Sequence, residues 1–183
     1  VNQHIRFESD AYSPLDEVGV RAYLAGIPSV AARLGAAHGW TVREVGDGNL
    51  NLMFIVERPM GAVVVKQALP YMRLVGESWP LPLARSYFES LALAEQERAA
   101  PGLTPGLYTT DRVRAAIVME YLAPHVILRK ALIAGRRPPM FAAHMAEFLA
   151  QSLFKTSDFY LQAACKKALM RDFCDNTELC KIT

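Results

Sequence analysis

The chain has 183 residues, 52% of them hydrophobic and 21% charged, which suits one ordinary domain or a small lobe with part of another and is far from the composition of disorder. A formal charge of +2, with basic residues scattered along the chain, gives no electrostatic case for nucleic acid as a partner. No apolar run reaches the roughly 18 residues of a membrane helix, and the N-terminal stretch is too polar for a signal peptide, so a cytoplasmic chain with no membrane span is expected.

Taken in chain order, "SPLDEVGVRAYLAG" predicts a short helix with Ser13 as N-cap, Pro14 at its first position and Gly26 past its end. "SVAARLGAAHGW" predicts a second, ending at Gly35 or Gly39. From Thr41 the pattern changes to β-branched and apolar runs, "TVREV", "LNLMFIVE" and "AVVVKQA", separated by Gly46-Asp47-Gly48-Asn49 and by Arg58-Pro59-Met60-Gly61. These read as three antiparallel strands in a meander. "LPLARSYFESLALAEQERAA" has helical period, with Leu83, Tyr87, Leu91 and Ala94 on one face, and stops at Pro101-Gly102. A hairpin follows, Leu107–Thr110 and Ala115–Leu122 turning through Asp111 to Arg114. Five antiparallel strands and one long helix make an α+β lobe.

Beyond Pro124 the pattern is helical: "VILRKALIAG" to Gly135, "PPMFAAHMAEFLAQSLFKTSD" with Phe141, Met145, Phe148 and Leu149 on one face, and residues 162 to 175. Cys165, Cys174 and Cys180 are odd in number and no histidine follows them, so reduced thiols are expected and a zinc site is not.

Lys66 is the anomaly. It follows Val63, Val64 and Val65 in a strand that reads as buried on both faces, where an unpaired ammonium costs several kcal/mol or loses its proton. Either it snorkels to water from the strand end or it binds an anion such as phosphate. Three other features bear on the choice. Gly46 and Gly48 let backbone N–H groups approach an anion, although an Asp-Gly pair is also an ordinary hairpin turn. Glu89 lies mid-helix within reach of an inward lysine, or is a solvated helix residue. Glu120, Tyr121 and Leu122 end the last strand at the start of the helical half, as a hinge or a plain linker. Glycine hairpin, strand lysine, helix glutamate and strand leading into a hinge follow one another as in a kinase small lobe.

At "VGDGNLNLMFIV", "VVVKQALPYMRLVGESWPLPLARSYFES", "AAIVMEYL", "ILRKALIAG", "EFLAQSLFKTSD" and "NTELCKIT" the sequence resembles the S-methyl-5-thioribose kinases, sugar kinases of methionine salvage with a protein-kinase-like, aminoglycoside-phosphotransferase-like fold. The resemblance runs from about residue 41 to the end and covers only the N-terminal part of that family. It implies ATP and S-methyl-5-thioribose as ligands, Mg²⁺ as cofactor and a homodimer. It also implies that residues 1–122 are an ATP-binding lobe with a helical N-terminal extension, and that 123–183 hold the hinge and the first helices of a helical large lobe.

By the same resemblance Gly46, Asp47, Gly48 and Asn49 form the phosphate loop and Asn51 contacts ATP in place of a third glycine. Lys66 binds the phosphates, Glu89 orients Lys66, Glu120 to Leu122 hold the adenine, and Trp79 belongs to a loop that helps close the site. The family's "HGD"-type loop and "DPE"-type metal motif are expected downstream of this segment. None of His4, His38, His125 and His144 has an aspartate two residues on; Asp158 reads as a turn residue, and His144 with Glu147 as a surface pair. No catalytic or metal-ligating residue is therefore assigned, and the chain alone is expected to be inactive. A non-catalytic nucleotide-binding or interaction module is the competing reading. A kinase for an aminoglycoside or choline-like alcohol is a third, which "KQALPYMRLVGESWPL" argues against.

Overall fold

A computed structural model describes residues 11–46 and 48–174. Within these, residues 11–91 with 107–121 form one compact unit, and 92–106 with 122–174 a second.

The first unit is built on a five-stranded antiparallel sheet of β1 (Thr41–Glu44), β2 (Asn51–Arg58), β3 (Gly61–Ala68), β6 (Leu107–Asp111) and β7 (Ala116–Glu120), in the order β1-β2-β3-β7-β6. The fold class is α+β, as the strand and helix periods predict. β3 is central. Its side chains alternate between faces, and Val63, Val65 and Gln67 are fully buried on one of them. Leu52, Phe54 and Val56 of β2 and Val118 of β7 share that face and meet Val20, Leu24, Val30 and Leu34 from two N-terminal helices, α1 (Glu17–Ala25) and α2 (Pro28–Leu34). The other face of β3 carries Val64, Lys66 and Ala68, so a residue's parity decides which layer it meets.

Local chemistry sets the ends of these elements. The N-cap of α1 is Asp16, whose carboxylate accepts from Gly19 N at 2.7 Å, and not the expected Ser13. Ser13 is occupied elsewhere, its carbonyl accepting from the Gln67 amide at 2.9 Å. Gly35 ends α2 at φ +70°, where only glycine avoids strain. Arg58 donates to the carbonyls of Leu34 and Ala36 on either side of Gly35, at 3.3 and 3.1 Å. Between β6 and β7 the Asp111 carboxylate accepts from Arg114 N at 2.9 Å, an Asx-type turn at the expected position.

"ALPYMRLVGESWPL" folds as a separate two-stranded hairpin, β4 (Tyr71–Met72) and β5 (Gly76–Pro80), with Gly76 at φ +74°. Next comes the long helix α3, Ala84–Ala99, divided between the two units after Leu91. Before Leu91 its buried side chains are Ser86 and Ser90, Ala99 is fully buried at its far end and Ala94 is exposed, so the apolar stripe expected through Ala94 is not the buried one. The small hydroxyls suit that position because Ser90 Oγ folds back onto Tyr87 O at 2.7 Å.

The second unit contains the end of α3 together with α4 (Leu128–Ile133), α5 (Phe141–Lys155) and α6 (Ala163–Cys174). Gly135 at φ +70° follows α4. Asp158 lies in the turn after α5, where Ser157 and Tyr160 close backbone hydrogen bonds to Phe154 and Ser157. Lys155 and Lys166 donate to the carbonyls of Ala99 and Thr156, at 2.8 and 2.7 Å. Among the described residues no helix is long and apolar enough to cross a membrane.

Candidate nucleotide site

The site is built on the face of the sheet opposite α1 and α2. Lys66 faces Met53 of β2 and Ile117 of β7 in register, two residues before the end of β3. Its Nζ donates to Glu89 Oε1 at 2.5 Å, with the two side chains 20% and 36% exposed. The ammonium has an anionic partner and keeps limited solvent access, so the pair is neither a dry buried salt bridge nor a free surface contact. The ammonium retains N–H bonds beyond the one given to Glu89.

The turn between β1 and β2 carries Gly46, Gly48 and Asn49; Asp47 lies outside the described residues. Gly46 has no positive φ, so its freedom is not used for a left-handed turn. Gly48 is needed for room, since a Cβ there would sit 3.0 Å from Asn51 O, whereas Gly46 has open space around it. Neighbouring segments hold the turn in place: Arg73 N donates to Asn49 O at 2.8 Å, Leu69 N to Leu50 O at 3.2 Å, and the Arg73 guanidinium to Glu44 at 2.7 Å. Asn51, the first residue of β2, lies opposite Ala68 and shares the Lys66 face by alternation.

Sequence reading missed Arg85, one turn of α3 before Glu89. Its guanidinium donates to Asn51 Oδ1 at 2.5 Å, to Leu69 O at 2.7 Å and to Leu50 O. Burial lowers its pKa, opposed by the charge of Glu89 and by Tyr12. An arginine in "PLARSYFES" looks like any surface helix residue, and the carbonyls it bridges leave no trace in sequence.

Glu120 closes β7 opposite Val63, and the chain passes into the second unit between Tyr121 and Leu122. The expected hinge residues thus stand at a unit boundary, three register positions from the Lys66–Ile117 pair. Trp79 is on β5, 47% exposed. His144 and Glu147 are exposed on α5 and make no ion pair with each other among the described residues. Cys165 and Cys174 are exposed free thiols, and Cys180 lies outside the described residues. No three His, Cys, Asp or Glu side chains gather as a metal-holding cluster among the described residues.

The arrangement described so far is a lysine fixed by a helix carboxylate beside a tethered glycine turn. The chain is 46% identical over 174 residues to methylthioribose kinase 1 of Oryza sativa subsp. japonica, covering 94% of this chain and 40% of that protein. It is 51% identical over 150 residues to methylthioribose kinase of Escherichia coli O45:K1 (strain S88 / ExPEC), covering 81% and 36%. With methylthioribose kinase of Geobacillus thermodenitrificans (strain NG80-2) it shares 43% over 181 residues, covering 96% and 44%. Over the stretch it matches, this chain is a relative of the methylthioribose kinases. It spans less than half the length of these curated relatives. No protein-family model matches the chain. The five-stranded antiparallel sheet and its helices fit a kinase-like small lobe followed by part of a helical portion.

Proposed function

We propose that this chain is the ATP-binding part of a kinase that transfers the γ-phosphoryl group of ATP to the 1-hydroxyl of S-methyl-5-thioribose. The observation that carries the reading is the 2.5 Å Lys66–Glu89 pair beside the β1–β2 turn, in a chain 43% to 51% identical to proteins named methylthioribose kinase.

In this reading Lys66 offsets the charge of the ATP phosphates, and Glu89 keeps the ammonium directed at them. Backbone N–H groups of Gly46 to Asn49 line the phosphates, Asn51 adds a side-chain contact, and main-chain groups of Glu120 to Leu122 take the adenine. Residues 1–122 then act as the nucleotide lobe and 123–183 as hinge and first helices of the substrate lobe. Mg²⁺ supplies charge neutralisation during phosphoryl transfer, and its ligands and the carboxylate base belong to the further length of the relatives. Lacking the base alone costs about 10²- to 10⁴-fold in rate.

Titration of the 183-residue chain with ATP tests the reading. The chain should bind ATP, and Lys66→Ala should weaken binding by roughly 10- to 100-fold, the range for a charge-assisted hydrogen bond. Turnover of methylthioribose by the chain alone should be undetectable in a coupled assay. A lysine that merely reaches solvent would leave ATP affinity unchanged on substitution, and turnover near that of ordinary sugar kinases would overturn the division of labour.

A further inference from the structure

Arg85 bridges three points that would otherwise move independently: the end of the glycine turn at Leu50, the start of β2 at Asn51 and the end of β3 at Leu69. The chemistry of one contact is decisive. A guanidinium has five donors and no acceptor, so the Asn51 amide must present its oxygen to Arg85. An unconstrained asparagine can turn either end toward a ligand. With Oδ1 held at 2.5 Å, Nδ2 and its two N–H bonds are what Asn51 has left to offer.

Position adds to this. Asn51 is two residues from Met53, the register partner of Lys66, and both lie on the sheet face opposite the N-terminal helices. Arg85 and Glu89 are four residues apart on α3, hence on one side of the helix. One short stretch of helix therefore holds Asn51 by its oxygen and Lys66 by its ammonium.

We propose that Arg85 is a positioning residue for nucleotide binding, fixing Asn51 as a hydrogen-bond donor to a phosphate oxygen beside the Lys66 charge. The inference rests on the ATP-clamp reading above. Because Arg85 acts through Asn51, its effect on affinity should vanish when Asn51 can no longer donate.

The test is a double-mutant cycle on ATP affinity in the 183-residue chain, with Arg85→Met, Asn51→Ala and the double variant, and with Lys66→Ala as reference. Each of the first two should weaken ATP binding about tenfold, and the double should be no weaker than either single. Arg85→Lys, the variant that keeps charge and guards against misfolding, should recover little, since an ammonium cannot span three acceptors as the guanidinium fork does. A merely structural arginine would lower the melting temperature and leave ATP affinity below that temperature unchanged. Additive losses in the double variant, or unchanged affinity in both Arg85 variants while Lys66→Ala weakens binding, would discard the role of Arg85 alone. A wild-type chain that binds no ATP, or an inert Lys66→Ala, would discard the clamp and this inference together.

Discussion

Gln67 and Lys66 are adjacent on β3 and face opposite layers, and each solves the problem of a polar group in a valine-rich strand differently. Lys66 meets one carboxylate and keeps some contact with water. Gln67 is fully buried and uses both ends of its amide: Oε1 accepts from Leu15 N at 2.8 Å, and Nε2 donates to Ser13 O at 2.9 Å and Arg114 O at 3.0 Å. It thus ties the segment ahead of α1 and the β6–β7 turn to the centre of the sheet. Gln67→Met keeps the volume and removes all three bonds, leaving one N–H and two carbonyls to find water at partly exposed positions. We expect a loss of about 1–3 kcal/mol, read from urea midpoints at unchanged slope; a change within 0.5 kcal/mol, the scale of a neutral surface substitution, would refute the bridging role. The charge of Lys66 drew notice in the sequence because an ammonium in an apolar run demands a partner. Gln67 did not, since an amide can be satisfied almost anywhere and its partners lie 47 to 54 residues away.

Among the elements, apolar runs bounded by turn residues were legible: β2, β3 and β7, the Asp111 turn and the helix ends at Gly26 and Gly35. What escaped were features set by tertiary partners, namely the Asp16 cap, the β4–β5 hairpin and the serine-lined side of α3. Two phenols of the first unit, Tyr12 ahead of α1 and Tyr23 within it, carry a test of their own. Burial pushes the Tyr12 and Tyr23 phenols up to about 12, nearby Tyr71 and Asp111 adding to the effect and Arg85 and Arg114 opposing it. Tyr12 also donates to Ala68 O at 2.8 Å, a bond available only to the protonated phenol. An unfolded tyrosine titrates near 10, so between about pH 10 and 12 the unfolded chain releases protons that the folded chain retains. Stability is therefore undiminished by these groups below pH 10 and falls as pH rises toward 12. Urea midpoints taken from pH 9 to 11.5 should drop, and Tyr12→Phe with Tyr23→Phe should flatten that fall while lowering the starting value. An equally steep decline in the double variant would show that these phenols do not control it.

At the scale of the whole molecule the two units differ in how well they cover apolar surface. Every strand of the first unit's sheet except β6 contributes a buried apolar side chain, whereas no residue of α5 is buried. Phe141, Met145, Leu149 and Leu153 recur every fourth residue along α5, and their exposures run from 39% to 67%. Residues at that spacing form one stripe on a helix, and the expected apolar face is present without a cover among the described residues. A contiguous exposed apolar stripe is the kind of surface that marks an interaction site. The relatives are more than twice as long as this chain. For the chain by itself the readiest apolar surface is another copy, so it should self-associate as concentration rises. Leu149→Glu with Leu153→Lys places opposite charges one turn apart on the stripe and should shift sedimentation toward monomer. Since both positions are already exposed, unfolding free energy should change by less than about 0.5 kcal/mol. A wild-type chain that sediments as a single monomeric species at high concentration would mean the stripe is too narrow to drive association.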